Sequence, residues 1–120
     1  MNDFFSLYNY RADVVSIFDG DSVTLDIDLG LGIWSKGQKC RLIGIDTPEI
    51  RGSERLNGLK ARKRLCELIL GKQVAITTHK DKTGKYGRWL VTIWDLSDNG
   101  VWTNINELLL LEGYAEVYGK

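Results

Sequence analysis

The run SVTLDIDL at residues 22–29 alternates apolar Val23, Leu25, Ile27 and Leu29 with polar Thr24, Asp26 and Asp28. A period of two puts one set of side chains on each face of an extended chain, so this segment is predicted to be a strand with one wet face. Before it, DVVSIF (13–18) is predicted to form a strand, joined through Asp19-Gly20-Asp21, a natural hairpin corner. A third strand is predicted over about 39–46. The period then changes. Leu56, Leu59, Leu65, Cys66, Leu68 and Ile69 fall at helical spacings, with Arg55, Lys60, Arg62, Lys63 and Arg64 between them and Gly71 behind. A helix over about 54–70 is therefore predicted.

QVAITTH and WLVTIWDL are predicted to be the fourth and fifth strands, separated by the turn-rich KDKTGKYGR. Asn104 with Glu107 three residues on makes a capping-box pattern for a short helix through Leu111, closed at Gly113, with YAEVY as a last extended piece. Three strands, a helix and two strands is the order of a five-stranded Greek-key OB-fold barrel, mainly β, with a second short helix near the C-terminus. Such barrels suit oligonucleotides or oligosaccharides, but fold alone does not assign function.

At 120 residues, without a linker, repeat or low-complexity tract, the chain reads as a single domain over 1–120. Its 16 basic and 16 acidic residues cancel, which argues against binding nucleic acid by bulk charge. No apolar run approaches the roughly 18 residues of a membrane span. The N-terminus, MNDFFSLYNYRADVV, lacks a signal-peptide pattern, so a cytoplasmic location is the default, and a secreted one if the chain is a processed form. Cys40 and Cys66 make neither a disulfide framework nor a zinc spacing and read as buried thiols.

The stretch LIGIDTPEIRG at 42–52 runs from an apolar strand straight into Asp46-Thr47-Pro48-Glu49. One reading is a helix start, with Thr47 as N-cap, Pro48 in the first turn and Glu49 favoured by the dipole. Asp19-Gly20-Asp21 likewise suits a plain turn. If Asp19, Asp21, Asp46 and Glu49 meet at one barrel rim, another reading opens. Two carboxylates about 4 Å apart repel by roughly 4 kcal/mol at an effective dielectric of 20, so protons or a cation must balance them. Oxygen ligands without Cys or His favour calcium or magnesium over zinc. Arg41, on the strand before Asp46, calls for an anion nearby, and Arg88 closes KTGKYGR. Guanidinium groups beside a hard ion are what a phosphodiester transition state needs, and Glu49 can take a proton from water. His79, the one histidine, is read as structural.

DGDSVTL, RLIGIDTPE and DKTGKYGR, followed by NINELLLLEGYA, together resemble the thermonuclease family, staphylococcal nuclease and its relatives, from about Val14 to Val117. The resemblance implies a calcium-dependent OB-fold endonuclease that cuts DNA and RNA and leaves 3′-phosphate ends. It implies Asp21, Asp46 and the Thr47 carbonyl as ligands of one calcium ion, with Asp19 behind them. It implies Glu49 as general base, Arg41 and Arg88 on the transition state, and Lys85 and Tyr86 on the nucleotide's terminal phosphate. The substrates would be single-stranded or locally open DNA and RNA, and the protein a monomer or weak homodimer.

This chain is neutral where the best-known members are strongly basic. Arg51, Arg55, Lys60, Arg62, Lys63, Arg64, Lys80, Lys82 and Lys85 are either a basic lip or a solvated face. The sequence ends with YAEVYGK, and LGLGIWSKGQK (29–39) is longer than its counterpart. Trp34, Trp89, Trp94 and Trp102 are expected in the core or at an interface. Two other functions are weighed: a non-catalytic OB-fold module binding nucleic acid or protein, and an acidic-patch interaction protein with a structural calcium.

Overall fold

The period-two segments pair as antiparallel strands β1 (Asn9–Asp19), β2 (Ser22–Gly30) and β3 (Ile33–Leu42), in a computed structural model that describes residues 8–79, 87–97 and 99–118. Ala12, Val14 and Ile17 of β1 and Val23, Leu25 and Ile27 of β2 turn inward, each at most 6% exposed. The β1–β2 register slips between Val14 and Ser16 and again between Ile17 and Asp19. Such bulges bend a strand and re-aim its side chains, and the second lies beside the Asp19–Asp21 corner.

After Leu42 the hydrogen bonds change partner. The Ile43 N–H donates to the Val91 carbonyl at 2.9 Å, and the Gly44 carbonyl accepts from Tyr118 N–H at 3.0 Å. The chain thus leaves β2, turns at Ile43–Gly44, and resumes as a short β4 (Ile45–Asp46). A 3₁₀ turn (Gly52–Glu54) leads into α1 (Arg55–Ile69), followed by β5 (Gln73–Thr78) and β6 (Trp89–Leu96). β5 pairs with both β1 and β6, and the end of β3 pairs in parallel with β6 at Cys40–Trp89, Arg41–Leu90 and Leu42–Val91. That last pairing closes a five-stranded barrel, β1-β2-β3-β6-β5, around one core. β7 (Trp102–Asn104) extends β6, α2 (Ile105–Leu111) follows, and β8 (Glu116–Val117) pairs with β4. Asn104 caps α2 by accepting from Glu107 N–H at 3.0 Å.

Several expectations need correction. The third strand does not run unbroken over 39–46. It begins at Ile33, absorbing most of the long 29–39 segment into the β2–β3 hairpin, and it stops at Leu42. No helix starts at Thr47; α1 begins only at Arg55. Its buried face is Gly58, Ala61, Leu65 and Ile69, while Leu56 is 68% exposed. Small residues are chosen because the helix backbone lies close to the barrel rim. Of the two places expected for the tryptophans, the core is overturned: Trp34, Trp89 and Trp102 are exposed and Trp94 is half-buried. Leu25, Leu42, Ile76, Val91 and Ile93 fill the barrel, with Leu65, Ile69, Ile105 and Leu109 packed beneath the helices. Cys40 is fully buried, which pushes its thiol up to about 12, and Cys66 is half-buried; both are free.

Candidate active site

Close approach builds the corner. A Cβ at Gly20 would lie 2.8 Å from both the Ala61 Cβ and Thr47 Oγ1, so the Asp19–Asp21 turn fits against α1 and the Thr47 loop only without a side chain. Arg62 of α1 clamps the approach to it, donating through Nε to the carbonyls of Ile17 and Phe18 at 3.2 Å. Within the turn, Asp21 N–H donates to Asp19 Oδ1 at 3.1 Å. The Asp21 carbonyl accepts from Leu42 N–H at 2.9 Å, tying the corner to the end of β3.

The Asp21 side chain, 5% exposed by residue, is then met from three sides. Its Oδ2 accepts from Thr47 N–H at 3.1 Å and from Arg41 Nη2 at 3.2 Å; its Oδ1 accepts from Ser22 Oγ at 3.3 Å. The same Arg41 nitrogen reaches Asp46 Oδ1 at 3.2 Å. One guanidinium therefore bridges two carboxylates, one in the β1–β2 turn and one on β4, while its Nη1 donates to the Ile45 carbonyl at 3.1 Å. Tyr118, just beyond β8, places its ring centroid 4.6 Å from Arg41 Cζ, a cation–π contact. Arg88 Nη1 donates to Ser22 Oγ at 3.0 Å, so Ser22 links this second arginine to Asp21.

Glu49 arrives on a loop with no regular structure, held by α1. A Cβ on Gly58 would run into the Glu49 carbonyl and lie 2.8 Å from the Pro48 carbonyl, so the helix and this loop are in backbone contact. Glu54 Oε1 accepts from Glu49 N–H at 3.0 Å. The outcome is one cleft of about 400 Å³ lined by Asp19, Asp21, Arg41, Asp46, Thr47, Glu49 and Arg88, with Phe18, Ile50 and Arg51 at its edges. Lys85 and Tyr86, with Lys80 and Lys82, lie outside the described residues.

The crowding shows in the carboxylates. Burial, then the neighbouring Asp21, pushes Asp19 up to about 6. Burial and the Asp21 charge also raise Asp46; Arg41 counteracts this, and Glu54 and Glu116 add to it. The donor set suits a hard divalent ion: Asp21 and Asp46 offer oxygens only, each 3.2 Å from one Arg41 atom, and the buried Thr47 hydroxyl has no hydrogen-bond partner. No three His, Cys, Asp or Glu among the described residues gather closely enough to hold a metal. An ion here would fill its shell with main-chain carbonyls and water.

The family model for staphylococcal nuclease homologues matches residues 39–120, well over half of the chain. The protein belongs to that family. An uncharacterized protein of Methanocaldococcus jannaschii is similar as well, 34% identical over 131 aligned positions covering 92% of this chain and 60% of that protein. The chain thus spans about 60% of the length of that relative. The family match begins at Lys39, so within this staphylococcal nuclease homologue the Asp19–Asp21 corner lies outside it, although its side chains close the same cleft.

Of the cations considered for a basic lip, Arg51 alone among the described residues lines this cleft; Arg64 is taken by Glu112 at 2.7 Å and Glu67 at 3.4 Å, and Arg62 by backbone carbonyls. Lys60 lines a neighbouring cavity with Asp46, Glu54 and Glu116. His79 Nε2 lies 3.0 Å from Thr92 Oγ1, away from the cleft. Four contributors escaped sequence reasoning: Ser22, Glu54, Tyr118 and Asn106. Buried Asn106 accepts from Ile93 N–H at 3.1 Å and donates to the carbonyls of Ile43 at 3.0 Å and Val91 at 3.1 Å. It fixes the turn from which Ile45 and Asp46 emerge. Ser22 lies in DGDSVTL, Asn106 in NINELLLLEGYA and Glu54 just beyond LIGIDTPEIRG, so those positions were within reach; the contacts of Tyr118 and Asn106 run across the fold and carry no local signal.

Among the described residues no helix is long and apolar enough to cross a membrane.

Proposed function

We propose that this protein is a calcium-dependent endonuclease that hydrolyses phosphodiester bonds of single-stranded or locally open DNA and RNA. The observation that carries the reading is the Arg41 bridge: one arginine spans two carboxylates, Asp21 and Asp46, and balances only one of their charges, at the floor of a cleft that also holds Glu49 and Arg88. A cation is already demanded at that point, and a phosphate-seeking group supplies it.

Asp21, Asp46 and the Thr47 carbonyl would hold the calcium ion, with Asp19 setting the orientation of Asp21 from behind. When bound, the ion supplies positive charge to a phosphoryl oxygen and to a nearby water. Arg41 can turn Nη2 towards a phosphate oxygen once another cation balances its two carboxylates. Arg88, held through Ser22, takes charge on a second oxygen. Glu49 accepts the proton of the attacking water, whose oxygen bonds to phosphorus as the bond to the 5′ oxygen breaks and that oxygen takes up a proton from solvent. The products are a 3′-phosphate and a 5′-hydroxyl. Lys85 and Tyr86 are assigned to the terminal phosphate by family resemblance.

The test is digestion of single-stranded DNA in calcium, magnesium or chelator, with end-group analysis. Cleavage in calcium that stops with chelator and leaves 3′-phosphates is expected. Glu49→Gln should lower turnover by about 10²-fold or more with folding intact. Oligonucleotide binding without cleavage in either metal would replace the enzyme by a binding module. Melting on chelation without any cleavage would make the ion structural.

A further inference from the structure

Phe18 is out of place for a packing residue. It is the penultimate residue of β1, next to Asp19, yet it is 60% exposed, and its carbonyl is pinned by Arg62, so the ring is presented from an anchored backbone. It lines two spaces at once. One is the catalytic cleft; the other is a groove of about 420 Å³ running over Val23 and Cys40, edged by Ser22, Thr24 and Lys39. Arg88 is the second residue shared between them. The two spaces therefore adjoin at Phe18 and Arg88. The groove lies within the size range of small-molecule sites.

From this adjacency we propose that the groove is a nucleobase subsite, in which the base flanking the scissile phosphate stacks on Phe18. The inference rests on the nuclease reading of the cleft and adds to it the means of gripping substrate. With a phosphodiester beside Arg88, the adjoining nucleotide leaves the cleft over Phe18. Its base meets the ring and the apolar floor at Val23, and Lys39, opposite Thr24 on the paired strands, meets the next backbone phosphate. Only an unstacked base can enter, so the occupant is a single-stranded or locally opened nucleotide. Stacking is indifferent to base identity, so grip without sequence preference follows. This answers how a chain of zero net charge holds a polyanion: by stacking beside a few local cations.

The test compares wild type, Phe18→Ala and Phe18→Trp on a single-stranded DNA 12-mer and on an abasic 12-mer of equal charge. Phe18→Ala should raise KM for the base-bearing strand about ten- to a hundredfold, with kcat within about threefold, while leaving affinity for the abasic strand unchanged. Phe18→Trp should restore KM. Thr24→Trp, which fills the groove and leaves Phe18 in the chain, should reproduce the alanine effect and keeps the test decisive if Phe18→Ala folds poorly. Equal KM changes on both strands, or none on either, would overturn the subsite while leaving cleavage in place. Phe18-dependent binding without cleavage in any variant would retain the subsite and remove the nuclease reading.

Discussion

Arg41→Met is the sharpest perturbation, because it keeps the stem and removes the charge that bridges Asp21 and Asp46. The Arg41 and Asp21 side chains are 13% and 7% exposed, so Asp21 would be stranded away from water. Removing one member of such a pair costs about 3–5 kcal/mol where nothing else meets the survivor. Asp21 keeps Thr47 N–H and Ser22 Oγ, which lowers the figure to about 2–3 kcal/mol. The Asp46 arm adds little, about 0–1 kcal/mol, since that side chain is 57% exposed. In chelator the melting temperature should fall by roughly 8–12 °C for a domain of this size. Asp21→Asn in the same background should recover most of it. Calcium should then bind the variant at least about tenfold more tightly than wild type, because about 1.4 kcal/mol or more of competition from the guanidinium is gone. Cleavage should nevertheless drop by about 10²-fold or more. Calorimetric melting in chelator and calcium titration read the two arms separately. A melting shift under about 2 °C, or calcium affinity unchanged or weaker, would refute the view that Arg41 balances the charge of the site.

Asp19 gives a pH dependence of defined sign. Its carboxyl is raised from 3.8 to about 6 by burial and Asp21, so the folded state favours the protonated form. Its contribution to stability is complete below about pH 4 and lost as pH rises through about 6. Metal-free protein should gain melting temperature between pH 7 and 5, and Asp19→Asn should flatten that slope; an unchanged slope would remove Asp19 as its source. Asn106→Ala leaves the buried Ile93 N–H and two carbonyls without their partner and should cost about 3 kcal/mol in urea denaturation. A loss under about 1 kcal/mol would show that water replaces it. Gly58→Ala forces α1 away from the Pro48–Glu49 backbone and should lower cleavage by more than tenfold, with nucleotide affinity less affected. Wild-type kinetics would mean that this loop shifts without consequence.

What was legible in the sequence and what was not divide along a physical line. Period-two runs and helical spacings are local, so the five barrel strands and two helices could be read directly, and the acidic and basic site residues stood out in short motifs. The strand at 39–46 failed as a single element because its break is set by distant partners: Val91 and Tyr118 capture Ile43 N–H and the Gly44 carbonyl, and Asn106 secures the turn. The helix face was misjudged for the same reason. Leu56 and Leu59 are apolar at the right spacing, but the contact is decided by how closely α1 must approach Glu49 and Gly20, and only Gly58 and Ala61 permit that approach. The site depends on these same two distances. Helix α1 sets Glu49 through Gly58 and the Asp19–Asp21 corner through Ala61 and Arg62. Small residues at two helix positions therefore do for the cleft what the charged motifs cannot do alone: they bring the Glu49 loop and a carboxylate corner to one rim.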